Sequence, residues 1–202
     1  MRPVPKTKYD HTIKELNIMS GSYDAQAHEF RLAQIKREAE AIRQKDPTSS
    51  YILLGIIACI KNDIENMHRY HKNAINCSGK SLHSIMQYSS SLFNQGLLKD
   101  CYVYSSQAHE IEPSNPAILK ELLRLSYYLE LNEQYEQIKQ KLERLGVHYD
   151  DPAVFLEDND DWLEKAFTAM DRLIDDNPDL IVKPNPEREA IIDELIEGVV
   201  ID

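Results

Sequence analysis

Residues 74–81, "AINCSGKS", are the first stretch whose residue types and spacing could do chemistry. A small residue, four spacers and Gly-Lys-Ser fit a loose phosphate-binding loop. Such a loop needs a strand before it and a helix that begins at its Lys-Ser, because the backbone N–H groups of that helix hold the phosphates. Here the preceding residues read as helix, and Gly79 stands where that helix should end. We therefore predict a turn between two helices, and a nucleotide hydrolase is only the third interpretation of this chain.

Two other groups of side chains have types that could act chemically. His68 and His71 lie one helical turn apart, with Cys77 further on, and such residues can bind zinc. His71 falls at a core-facing position of its helix, so we expect structural histidines instead. His83 stands beside Ser84, but the Gly-x-Ser-x-Gly elbow of a nucleophilic serine is missing. The sequence therefore predicts no catalytic residue, no cofactor, no metal and no enzyme activity.

The cysteines and the apolar segments indicate a compartment. Cys59, Cys77 and Cys101 are an odd number of widely spaced thiols, which is no disulfide framework and agrees with a reducing environment. We expect all three thiols to be buried and inert. The most apolar stretch, residues 51–60, is about half as long as the roughly 20 residues that span a bilayer. The N-terminus has no apolar core typical of a secretory signal, so the chain is expected to be cytoplasmic, without membrane contact.

The elements that position these residues repeat along the chain. A shift of 34 residues places Gly55 on Ser89 and Ala74 on Ala108. Each copy reads as two helices joined by a tight turn that contains Asn, Asp or Gly. The small residues fall where two helices approach closely, and large apolar residues surround them at helical spacing. Residues 112–116, "EPSNP", end one helical pair and begin the next.

At these positions the sequence resembles the tetratricopeptide repeat family. The residues that carry the resemblance are Leu54, Gly55, Asn62, Asp63, Ile64, Ala74, Ile75, Gly96, Ala108 and Pro113. The resemblance implies an all-α fold, a short right-handed superhelix of helical hairpins over residues 48–149. Residues 122–146 read as a third hairpin, whose turn we expect to be longer than the other turns by three residues.

The pattern is degenerate at both ends of the chain. Residues 1–47 are predicted to form an N-terminal segment with a turn at 21–23 and a long helix over 23–45. Residues 150–202 are predicted to hold a degenerate repeat, with one helix after Trp162 and another from residue 185. That last helix either caps the final hairpin or docks on a partner through its apolar stripe.

In the tetratricopeptide family the first helix of each hairpin lines a concave face that binds partner peptides. Carried over residue by residue, the resemblance implies this partner-binding set: Ile52, Ile56, Ile60, Met86, Gln87, Ser90, Phe93, Asn94, Lys120, Arg124, Tyr127 and Tyr128. Members that grip a C-terminal carboxylate use Lys and Asn where this chain has Ile52 and Ile56. An apolar face with Met and aromatic residues suits an amphipathic helix or an extended peptide. Alternatively, the long N-terminal helix packs on Ile52 and Ile56 and closes the face there.

The charge is uneven along the chain. The net charge is −11, and residues 150–202 contain 17 acidic and 4 basic residues. This distribution speaks against direct nucleic-acid binding, which needs a Lys/Arg footprint, and suits a basic protein partner. The first interpretation is a non-catalytic protein–protein adaptor or chaperone-like module that binds a partner peptide or helix. In size and acidity it resembles bacterial secretion chaperones built from three such repeats. The alternative is an antitoxin or immunity-type inhibitor whose acidic region masks a basic partner.

Overall fold

The computed structural model describes residues 9–20 and 28–153, and every regular element in them is an α-helix. The helices are α1 (Asp10–Ser20), α2 (Glu29–Ile42), α3 (Pro47–Ile60), α4 (Ile64–Cys77), α5 (Leu82–Asn94), α6 (Leu98–Ile111), α7 (Pro116–Tyr128) and α8 (Asn132–Arg144). The all-α prediction is therefore confirmed for the part of the chain described. The turn predicted at 21–23 and the helices predicted after Trp162 and from residue 185 lie outside the described residues.

The chain forms two compact units, Met1–Ile111 and Glu112–Asp202. The first contains α1 to α6, and the described part of the second contains α7 and α8. The division falls within the stretch 48–149, which sequence analysis groups as one series of hairpins. It falls at the end of α6, just before the turn that holds Pro113.

The three hairpins keep a constant spacing in sequence. Their second helices begin at Ile64, Leu98 and Asn132, which are 34 residues apart. The expected longer third turn is wrong, because only residues 129–131 separate α7 from α8. The residue before α8 is Leu131, which makes no side-chain cap. Without the Asp or Ser that marks a helix start, the sequence gives no local sign of where α8 begins.

The stretch 74–81 is the predicted turn between α4 and α5. Cys77 is the last residue of α4, and both Gly79 and Lys80 have left-handed backbones, with φ of 63° and 62°. The Ser81 side chain accepts a hydrogen bond from the Ser84 N–H at 3.3 Å and caps α5. No strand leads into this segment, so it lacks the geometry of a phosphate-binding loop.

The small residues of the first two hairpins are buried, as predicted. Gly55 lies against the ring of His71, and a Cβ atom added to Gly55 would come within 2.6 Å of His71 Nε2. At the equivalent positions of the second hairpin, Ser89 Oγ and Ser105 Oγ are hydrogen-bonded at 2.7 Å. The first hairpin therefore fills the space beside its glycine with a ring, whereas the second places two small side chains together.

The N-terminal residues form two helices that pack on α3. The predicted long helix over residues 23–45 is observed as α2, which ends at Ile42, and α1 was not predicted. Both helices turn an apolar stripe towards α3 and share one core with it. The stripes comprise Ile13, Leu16 and Met19 of α1 and Leu32, Ile35 and Ala39 of α2. A bidentate contact between Arg31 and Glu15, with both N–O distances 2.7 Å, joins α1 to α2.

Candidate protein-binding sites

The predicted binding residues of α3 lie beneath the N-terminal helices. Ile52 is 1% exposed and Ile56 is 2% exposed, and both belong to the core shared with α1 and α2. Ile60 is partly buried against the same core. A partner cannot contact Ile52 or Ile56 while α1 and α2 remain in place. The geometry therefore agrees with the alternative in which the chain's own N-terminal segment closes this face.

The predicted residues of α5 remain accessible to different degrees. Met86, Gln87, Ser90 and Phe93 are partly exposed, and Asn94 is exposed. The Asn94 side chain donates a hydrogen bond to Ser20 Oγ at 3.0 Å, which joins the end of α5 to the end of α1. The open part of the first unit's predicted face is therefore the side of α5.

Three of the four predicted residues on α7 line a pocket in the second unit. The pocket has a volume of about 660 Å³, within the range of small-ligand sites. We call it the α7 pocket; among the described residues its lining is Ala117, Lys120, Glu121, Leu123, Arg124, Tyr128, Tyr149, Asp150 and Pro152. The fourth predicted residue, Tyr127, instead packs on Tyr128 and Tyr135, with ring centroids 6.1 and 6.0 Å away. Sequence analysis missed the wall formed by residues 149–152, which follows α8.

Asp151 holds that wall in place. Its carboxylate accepts hydrogen bonds from the Tyr135 hydroxyl, from Lys139 Nζ at 2.8 Å and from the Ala153 N–H at 3.1 Å. Burial opposes ionisation of Asp151, but the hydrogen bonds from Lys139 and Tyr135 lower its pKa below the ordinary value. Burial and the hydrogen bond to Asp151 raise the pKa of Tyr135. The ionised Asp151 therefore fixes the segment after α8 to Tyr135 and Lys139 of α8.

The polar groups of the α7 pocket have different partners. Arg124 Nη2 contacts Glu121 Oε2 at 2.7 Å, so these two charges are already engaged with each other. Lys120 is exposed and makes no ion pair with the described residues. Tyr128 is 42% exposed, which is high for so large a side chain. Lys120 and Tyr128 are therefore the residues best placed to contact a bound molecule.

His68 and His71 have structural roles, whereas His83 is exposed. His71 is fully buried, stacks on Tyr88 with centroids 5.2 Å apart, and lies 2.9 Å from Ser91 Oγ through Nε2. Burial, and then the proximity of His68, lowers the pKa of His71 to about 3. A serine–histidine pair with Ser91 only 3% exposed and His71 fully enclosed offers no access to a substrate. His68 Nδ1 shares a hydrogen bond with the Tyr88 hydroxyl.

Two of the three thiols are buried as expected. Burial raises the pKa of the Cys59 thiol, and Cys101 is fully buried, but Cys77 is exposed, so the expectation was wrong there. Cys77 is the last residue of α4 and lies beside the turn, where the helix no longer covers it. Within residues 9–20 and 28–153 no group of His, Cys, Asp and Glu side chains is arranged to hold a metal ion.

Comparison with known proteins finds no matching family model, no matching curated protein and no matching solved structure. The tetratricopeptide resemblance therefore stays a prediction that rests on the residues themselves. None of the helices in the described ranges combines the length and apolar character needed to cross a membrane.

Proposed function

We propose that this chain is a non-catalytic adaptor or chaperone-like module of the cytoplasm that binds a segment of another protein. The observation that carries the proposal is the open α7 pocket, in which a cation and aromatic side chains converge. A pocket of this size and lining accommodates one or two side chains of a bound peptide, with aromatic surface for contact area and charge for orientation. The hairpin of α7 and α8 then serves as the frame that presents the pocket.

The contact residues have distinct tasks in this proposal. Tyr128 supplies a broad exposed surface for an apolar side chain of the partner. Lys120 supplies an exposed charge that forms no ion pair with a described residue, so its ammonium group is free to bind an acidic group of the partner. The partly exposed side of α5, with Met86 and Phe93, is a second apolar surface for a partner segment in the first unit.

Affinity capture from native extract tests the proposal. The full-length chain and its Lys120→Ala/Tyr128→Ala double variant are immobilised separately, with Phe30→Ala/Lys36→Ala, two exposed positions on α2, as a control outside the α7 pocket. We expect a protein that the original chain and the control retain and that the double variant loses. A photo-crosslinking residue at position 120 should then link to the same protein. Equal retention by all three forms, or no specific protein at all, would refute this function.

The inhibitor function has one observation in its favour, the strong acidity of residues 150–202. An acidic surface that masks a basic partner loses affinity steeply with ionic strength, whereas an apolar pocket contact does not. Any captured partner is therefore measured between about 50 and 500 mM salt. Glu157, Asp158, Asp160 and Asp161 are then converted to their amides in the full-length chain. This change should abolish binding of the partner if the chain is an inhibitor and preserve binding if it is an adaptor.

A further inference from the structure

Arg43, Tyr51, Tyr70 and Arg69 form a connected cluster in the first unit, which we call the arginine–tyrosine cluster. The Arg43 guanidinium carbon lies 5.7 Å from the centroid of the Tyr51 ring. The Tyr51 and Tyr70 rings stack with centroids 6.3 Å apart and planes 26° from parallel. The Arg69 guanidinium carbon lies 5.1 Å from the Tyr70 centroid. Residues from the end of α2, from α3 and from α4 thus place two guanidinium groups on a pair of stacked rings.

The two rings are fixed by the fold. Tyr51 and Tyr70 are partly buried and pack against the core that α1, α2 and α3 share. Stacking on a fixed ring restricts the rotamers of a long arginine side chain, so less entropy is lost when its donors are later engaged. The cluster is therefore organised for binding before a partner arrives.

The two arginines have no carboxylate partner in the described residues. None of the ion pairs there includes Arg43 or Arg69, and Arg43 Nε is buried without an acceptor. Asp46, three residues after Arg43, accepts the Ser49 N–H at 3.0 Å as the cap of α3. Arg69 Nη2 donates to the Tyr70 hydroxyl at 3.4 Å, which leaves its other N–H donors for a partner. The in-plane N–H donors of a guanidinium group match a carboxylate in a two-bond geometry. Neither guanidinium group is therefore held in an ion pair with a described carboxylate.

We propose that the arginine–tyrosine cluster is a further docking surface and that it binds an acidic segment of a partner protein. Carboxylates of that segment would bind to Arg43 and Arg69. The three spacings within the cluster limit the distance between the guanidinium carbons to about 17 Å, which an extended peptide covers in about five residues. One short segment with several Asp or Glu residues can therefore reach both arginines.

A peptide is a better match than a nucleic acid. Bases bind to proteins by stacking on open aromatic faces. Here the two tyrosine rings are partly buried and contact each other, the arginines and the core, which restricts the access of a base to their faces. The groups available to a partner are therefore guanidinium donors, which suit carboxylates along an extended chain.

Fluorescence anisotropy with the full-length chain tests this surface independently of the α7 pocket. The probe is a fluorescein-labelled peptide of alternating Glu and Ala, and a peptide with Lys in place of Glu is its control. We expect the Glu peptide alone to bind, and Arg43→Ala or Arg69→Ala to weaken it about fivefold or more. The matched control is Arg37→Ala, since Arg37 is exposed on α2 and its Nε donates only to its own helix, at Ala33 O. This control should change the affinity less than about twofold.

Several results would overturn the docking surface. The first is that the Glu peptide does not bind detectably. The second is that Arg37→Ala and Arg69→Ala lose the same affinity for the peptide. The third is that Arg69→Lys, which keeps the charge but not the forked donors, binds the peptide with unchanged affinity. The fourth is that the Glu peptide binds only after the acids of residues 157–161 are converted to amides. That result would also overturn the proposal, because it would mean that an acidic segment of the same chain occupies the cluster. Thermal unfolding of each variant ensures that affinities are compared between folded proteins. Loss of this surface leaves capture by the α7 pocket unaffected, so the two proposals fail separately.

Discussion

Replacement of Gly55 by alanine should destabilise the protein because of one neighbouring ring. The added Cβ would lie 2.6, 2.7 and 2.8 Å from three atoms of His71. The ring has little freedom to move away, because it stacks on Tyr88 and is hydrogen-bonded to Ser91. Overpacking typically costs about 1 to 3 kcal/mol, and three distances below 3.0 Å to a held ring place this contact in the upper part, about 2 to 3 kcal/mol. Alanine's better helix propensity offsets about 1 kcal/mol of that cost. We expect a net loss of about 1 to 2 kcal/mol for Gly55→Ala.

A double-mutant cycle isolates that contact. In a His71→Ala background the obstructing ring is gone, so Gly55→Ala should stabilise the protein by about 1 kcal/mol. The sign of the Gly55 effect therefore reverses with the residue at position 71, and the coupling energy is about 2 to 3 kcal/mol. Urea unfolding followed by circular dichroism at 222 nm measures all four proteins.

Gly96→Ala provides the matched control for this cycle. Gly96 has φ of 68°, and apart from its two chain neighbours no residue comes within 4 Å of the place that a Cβ would take. Its substitution therefore strains the backbone without crowding the core. The cost should be the same with or without His71. The proposed contact would be refuted if Gly55→Ala had the same effect in both backgrounds.

Three further predictions concern titration, the pocket wall and a turn. The pKa of His71 is about 3 when folded and 6.5 ordinarily, so stability should fall by about 1.4 kcal/mol per pH unit as the pH drops below about 6.5. Urea unfolding between about pH 7.5 and 4.5 measures this loss of stability with pH. The loss should disappear in His71→Gln and remain in the control His83→Gln, and the same dependence of stability on pH in both variants would contradict the prediction. Asp151→Ala should destabilise the second unit by about 1 to 2 kcal/mol in urea unfolding, because it removes the hydrogen bonds that Asp151 accepts. It should also lower the pKa of Lys139, which NMR titration measures, and an unchanged Lys139 pKa would count against the contact. Glu130 has a left-handed backbone, with φ of 58°, which glycine adopts without the strain that a side chain causes. Glu130→Gly should therefore raise stability by up to about 1 kcal/mol in urea unfolding. A loss of stability would show that the turn tolerates the side chain without strain.

The hairpins could be predicted because their boundaries are encoded locally. Asp63, Ser81 and Asn115 each cap the helix that follows, and each is a residue type that marks a helix start. Gly79 and Gly96 take the left-handed backbone that ends a helix. Where such residues are missing, as at Leu131, the prediction of the third turn was wrong.

The binding surfaces depend on contacts between segments that are distant in sequence. Ile52 is buried in the core that α3 shares with α1 and α2. α1 is hard to predict, because three apolar residues at helical spacing, Ile13, Leu16 and Met19, are a weak signal in a short helix. The register of the hairpins predicts that Lys120 lies on an accessible side of α7. The other wall of the α7 pocket comes from a segment after α8, which the register does not predict. Such a wall is set by Asp151 and its partners, and no local pattern encodes their pairing. The arginine–tyrosine cluster likewise joins three helices and has no sequence motif.

The placement of α1 and α2 on α3 has a consequence during synthesis. Both helices leave the ribosome before α3, which shelters their apolar stripes, has emerged. Neither is long enough to persist alone in water, since isolated helices shorter than about 12 to 15 residues are marginal. The nascent N-terminal segment therefore stays unfolded until α3 emerges, and then all three helices condense together. A chain shortened at its N-terminus would instead display the isoleucines of α3 to water and aggregate.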